Sequence, residues 1–162
     1  MDGGTNSRAT RDRHYRKNSA LLVSRRVYLG PIDWAATQGT GDPKGEQMKR
    51  VIIESPLGST TDGKRCEPEA FDRNVGYAQR ALLDSIRRGE APFGSHLLYP
   101  QVLRDAKPEQ RDLGLAMGFA WGAVADLVAV YIDHGITPGM RKGIERAKAA
   151  FQRIEYREIG KS

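Results

Sequence analysis

The chain has 162 residues, 39% of them apolar, with a net charge of +6 at neutral pH and a pI near 9.6. That length suits one domain plus a tail. The single cysteine, Cys66, excludes an internal disulfide and a multi-cysteine zinc site, and no run approaches the ~18 apolar residues of a membrane span.

The charge is unevenly spread. Residues 1–50 carry ten Lys/Arg against five Asp/Glu, whereas residues 51–162 carry sixteen against fifteen. Residues 1–19, with Arg8, Arg11, Arg13, Arg16 and Lys17, have almost nothing to bury and are expected to be disordered. Residues 20–29 can form one short strand or helix, and residues 30–50, rich in Gly and Pro, read as a linker. A basic tail of this kind suits weak, salt-sensitive contact with nucleic acid; a solvated tail without a specific partner is the alternative. The N-terminus has no signal-peptide core, and the lone cysteine fits a reducing compartment, so a cytoplasmic protein without membrane contact is expected. Cys66 lies in the basic phrase Gly63-Lys-Arg-Cys66, which can lower a thiol pKa, although a bystander loop cysteine is the simpler reading.

From residue 51 the pattern becomes regular. Val51 to Ser55 is an apolar strand closed by Pro56 and Gly58. Ala70 to Arg88 carries Val75, Ala78, Ala81, Leu82 and Ile86 at helical spacing, and Gly89 stops it. Pro92 to His96 reads as a second strand, followed by a long loop with Tyr99, Pro100 and Pro108. Glu109 to Val124 predicts a second helix with Leu113, Met117, Ala120, Trp121 and Val124 inward. Leu127 to Ile132 is the near-continuous apolar run of a central parallel strand. A third helix is opened by Pro138 and runs to Phe151, and Arg153 to Ile159 is a last, edge strand. The alternation predicts an α/β, Rossmann-like three-layer domain over 51–159, with a parallel sheet of four to five strands in the order 2-1-3-4.

In such a sheet ligands bind beyond the carboxyl ends of the strands. The loops at 55–63, 96–99 and 133–140 are therefore expected to meet in a pocket. The first offers Ser55, Pro56, Gly58 and Ser59, a hydroxyl- and glycine-rich loop that can cradle a phosphate or ribose. The second offers His96 and Tyr99; His96 is either a ligand or acid/base group, or a half-buried histidine bonded to backbone. The third offers Asp133, Gly135, Gly139 and Met140 before and within a helix N-terminus. Asp133 can hold a ribose hydroxyl or simply cap the loop. The three histidines, His14, His96 and His134, lack metal-ligand spacing. There is no Walker A lysine pattern and no Gly-x-Gly-x-x-Gly, so the standard triphosphate and dinucleotide readings fail.

Between residues 51 and about 152 the chain resembles the nucleoside 2-deoxyribosyltransferase-like superfamily, most nearly its uncharacterised phage and actinobacterial members. The resemblance rests on the first strand running into Ser55-Pro56, then Asn74-Val75 with Ala78, Ala81 and Leu82, then Gly89-Glu-Ala-Pro-Phe93 with Ser95-His96. Trp121, Ala125-Asp126, Asp133, Gly139 and Arg146-Ala147 complete it. It implies cleavage or exchange of an N-glycosidic bond in a nucleoside or nucleotide, no metal or other cofactor, and a homo-oligomer.

The family's key glutamate sits on the helix after the third strand, and its nucleotide hydrolases carry a second acid on the preceding helix. Aligned on Arg146-Ala147 and Trp121, those places hold Gly143 and Gly118. Weak or no turnover of ordinary deoxynucleosides is the expectation that follows. Glu145 and Asp133 are the substitutes the resemblance leaves for the catalytic carboxylate, although Glu145, two residues from the expected place, is turned by ~200° around the helix. Glu54 is a further carboxylate near a strand end, outside any motif. An enzyme acting at an N-glycosidic bond and a non-catalytic nucleotide sensor or sequestering module both remain open at this point.

Overall fold

The computed structural model describes residues 48–105 and 107–159, so the expected tail and all but the last three residues of the expected linker lie outside the described residues, and Arg50, counted in that linker, opens the first strand. The elements are β1 (Arg50–Glu54), α1 (Pro68–Arg87), β2 (Ala91–Phe93), α2 (Ser95–Leu98), a 3-10 turn (Tyr99–Gln101), α3 (Pro108–Gly122), β3 (Leu127–Tyr131), α4 (Pro138–Ala149) and β4 (Ile154–Arg157). The strands form one parallel sheet in the order β2-β1-β3-β4. This is the α/β, Rossmann-like architecture expected from the sequence, with four strands.

Both faces of the sheet are covered, which is why β1 and β3 are apolar nearly throughout. Successive strand side chains point to opposite faces. Val51 and Ile53 of β1 join Leu127, Ala129 and Tyr131 of β3 against Tyr77 and Ala81 of α1. Ile52 of β1 joins Val128 and Val130 of β3 against Met140, Ile144 and Ala147 of α4. Each fully buried aliphatic side chain contributes about 1.5–3 kcal/mol. At the base of the sheet, Asp126 accepts from the backbone amide and guanidinium of Arg50 at 2.8–3.1 Å and fixes the register of β1 on β3.

Two segments differ from the sequence expectation. The second strand ends at Phe93, and Gly94 then turns the chain so that Ser95 and His96 open a helical turn. In and just after α3 the expected inward residues are not buried: Leu113 and Trp121 are 52% and 54% exposed, as is Val124 beyond the helix at 51%, and no residue of the helix is buried, although Trp121 keeps a ring contact with Phe93 at 5.3 Å between centroids. Gly114, Gly118 and Gly122 take the inner face instead, four residues apart and so on one side of the helix. Among the described residues no helix is long and apolar enough to cross a membrane.

Candidate functional site

β1 and β3 are neighbours, so the loops after β1, β2 and β3 gather at one end of the sheet. Gly135, at φ +77°, turns the β3 loop onto Thr61 of the β1 loop so closely that a β-carbon there would lie 2.8 Å from the threonine methyl. Arg141 reinforces the contact by donating to the carbonyls of Ile136 and Thr61 at 3.0 and 3.1 Å. Thr137 then caps α4: its Oγ1 accepts from the Met140 amide, and Pro138 opens the first turn.

Beneath these loops, between α3 and α4, lies a cavity of about 180 Å³. Its floor holds Glu54, the last residue of β1. Two positions beyond Ile52, it shares that residue's face and points toward α4. Gly143 of α4 crosses directly above it: a β-carbon at 143 would land on the carboxyl, 2.7 Å from its carbon. Among the described residues no donor or cation is bonded to this carboxyl. The residue lines the cavity, and its desolvation pushes the pKa up to about 8.

The next residue, Ser55, is hydrogen-bonded through Oγ to Nε2 of His96 at 2.8 Å. Burial pushes the imidazole down to about 4, so it is neutral near pH 7. Ser95 stands beside His96 under Gly118, where a β-carbon would lie 2.9 Å from the Ser95 Oγ. The floor is therefore uncharged at neutral pH. The rim is cationic: the Arg146 guanidinium lies 4.9 Å from the Phe119 ring centroid, and Arg111 meets Asp105 at 3.4 Å.

A family profile described as a domain of unknown function (DUF7768) matches residues 49–157. The chain belongs to that family. Neither a curated protein nor a solved structure matches it. The matched range of the DUF7768 domain runs from just before β1 to the last residue of β4, and so contains the whole sheet and every wall of the cavity described above.

Of the site residues proposed from sequence, Ser55, Gly58, Ser59, His96, Tyr99, Gly139 and Met140 line this cavity. Pro56 is buried beside it without lining it, and Gly135 serves the turn. Glu145 is exposed on α4 and does not reach the cavity. Asp133 also lies outside it: the hydroxyl of Tyr77 donates to Asp133 at 2.5 Å, and the Ile159 amide donates at 3.2 Å. Burial works against the Asp133 charge, yet those bonds hold its carboxyl below the usual range. Cys66 donates to the Leu57 carbonyl, and burial pushes its thiol up, opposite to the effect read from its basic neighbours. Glu54, Ser95, Gly143 and the glycine face of α3 were not among the proposed site residues. The pointer to Glu54 was present in the sequence as a carboxylate ending an apolar strand.

Proposed function

We propose that the cavity binds a nucleoside or nucleotide and that the protein cleaves or transfers at its N-glycosidic bond, with Glu54 as the carboxyl group at the reacting centre. The observation that carries this reading is the packing of Glu54 against Gly143. Position 143 is where the resemblance to the deoxyribosyltransferase-like superfamily expects an acid on the helix. Here the helix offers a bare backbone, and β1 supplies a carboxyl group into the same space. A carboxyl without a bonded partner among the described residues, in a desolvated cavity, opposes stability, and groups with such perturbed pKa values cluster at functional sites. The neutral Ser55–His96 pair supplies hydrogen-bonding partners for sugar hydroxyls, and Arg146 at the rim suits an anionic group on the ligand.

The test is release of free base from deoxynucleosides and their 5′-monophosphates, followed by chromatography, with Glu54→Ala, Glu145→Ala and Asp133→Ala alongside. Turnover abolished by Glu54→Ala and retained by the other two supports the reading. Turnover that depends on Glu145 or Asp133 overturns it.

One observation favours a second reading, a sensor or sequestering module. At position 118, the other place where an acid is expected, the space is taken by the Ser95 hydroxyl rather than by a second carboxylate. Ligand that raises the melting temperature through the same cavity, without base release, selects that reading.

A further inference from the structure

Resting on the glycosidic reading above, we propose that Glu54 acts as the proton donor to the departing base, rather than as a nucleophile on the sugar, and that the preferred substrates are those whose leaving base must be protonated. A carboxylate that attacks carbon must be ionised first, and an ionised carboxylate needs donors or a cation to hold its charge. Glu54 has neither bonded to it among the described residues. Its neighbours in the floor are Ile52, Val128 and Met140, and Gly143 presses on the carboxyl from above. That environment keeps the proton on the acid and directs it into the cavity.

The step balances without an added reagent. The bond between the anomeric carbon and the base breaks, and its electron pair goes to the base. The Glu54 proton goes to the base, which departs neutral. Water, or the hydroxyl of an acceptor, bonds to the anomeric carbon and returns its proton to Glu54. Other titratable groups face the same cavity: His96 from α2, Tyr99 from the 3-10 turn, Asp105 from the loop before α3, Arg111 from the first turn of α3, and Arg146 from α4. His96, pushed down to about 4 by burial, is neutral through the range in which Glu54 titrates.

The experiment compares two leaving groups on the full chain. Deoxyinosine and its 5′-monophosphate release a base that must be protonated, whereas 4-nitrophenyl 2-deoxyriboside releases a stabilised anion. Glu54→Gln keeps the shape of the side chain and removes the exchangeable acid. The expected result is a loss of kcat/KM at least about a hundredfold greater on the inosine substrates than on the nitrophenyl glycoside, as loss of general acid catalysis predicts. Wild-type kcat/KM for the inosine substrates should fall as pH rises past about 8, and the nitrophenyl glycoside should lack that limb. The pH comparison needs no variant and stands if Glu54→Gln folds poorly. Equal losses on both substrates, or the same alkaline limb for both, overturn the donor role while leaving the glycosidic reading intact. Absence of turnover of every substrate by the wild-type protein overturns the glycosidic reading and the donor role with it.

Discussion

Gly143 lies against the carboxyl of Glu54 so closely that a side chain at 143 and the carboxyl compete for one space. Alanine normally gains up to about 1 kcal/mol over glycine in a helix interior. Here the gain is offset, because the Glu54 carboxyl must swing away. The displaced atoms are the flexible end of a side chain, so Gly143→Ala should change the unfolding free energy by less than about 1 kcal/mol, within the range that tolerated core changes show. Base release or ligand binding should nonetheless fall, since the carboxyl has moved. Denaturant melts paired with the activity assay separate the two effects. A variant as active as the wild type would show that the place of Glu54 under α4 is immaterial.

Glu54 and His96 impose opposite pH dependences on stability. The folded pKa of Glu54 is raised to about 8, so its stability contribution is full below the unfolded value near 4.5 and is lost as pH rises toward 8. His96 is depressed to about 4 from 6.5, so its contribution is full above 6.5 and is lost as pH falls toward 4. Between 4.5 and 6.5 the two slopes oppose each other, and between 6.5 and 8 only Glu54 acts. Stability should therefore be nearly flat on the acid side and drop by about 2 kcal/mol from pH 6.5 to 8, one proton's slope of about 1.4 kcal/mol per pH unit. Glu54→Gln should abolish that drop in urea titrations. A wild-type profile that rises over the same interval would contradict the buried, protonated Glu54.

Arg157, on the edge strand, is 7% exposed and donates to both Glu90 oxygens at 2.7 and 2.8 Å. Burial opposes the Glu90 charge, but Arg157 and the Ser85 hydroxyl outweigh it and hold that carboxyl below its usual range. Arg157→Ala should cost about 3–5 kcal/mol, because Glu90 is left buried without its partner. Glu90→Gln should cost less, since Arg157 keeps its bond to Glu155 at 2.7 Å. Thermal melts of both variants provide the comparison, and equal costs would count against the pairing.

Tyr77 is buried, and its hydroxyl both donates to the Asp133 carboxylate and accepts from the Asp133 amide at 3.1 Å. The bonds tie α1 to the end of β3 on the face away from the cavity. Tyr77→Phe should destabilise the protein by about 1.5–3 kcal/mol, the range for a hydrogen bond to a charged group. Ligand affinity should not follow. Calorimetry with a ligand that raises the melting temperature makes the check, and a parallel loss of affinity would bring Asp133 back into the site.

The sheet order was legible because β3 is an apolar run in a chain that alternates strands and helices. The pocket's place was legible for the same reason, since β1 and β3 adjacent fix where the loops meet. Glu54 was harder to assign. In a strand covered on both faces, apolar residues on both sides erase the alternation that would tell which way the last residue points. The inward face of α3 was misread for a physical reason. Sequence periodicity takes the most apolar side as the buried one, through Leu113, Met117 and Trp121, whereas the side toward the cavity carries Gly114, Gly118 and Gly122 with Leu115 and Phe119, and the glycines leave it room. Asp133 looked functional by position alone, and its partner Tyr77 lies 56 residues away in sequence.

A helix that turns three glycines toward the cavity and fully buries none of its side chains is held to the domain by little apolar contact. Segments with few buried contacts open locally at a free energy well below that of global unfolding. The amides of α3 should therefore exchange with solvent far sooner than those of β1 or β3, and each such opening uncovers the chamber above Glu54. A ligand bridging α3 and α4 would close that breathing, so its occupancy would be recorded as slowed exchange along the whole of Pro108–Gly122.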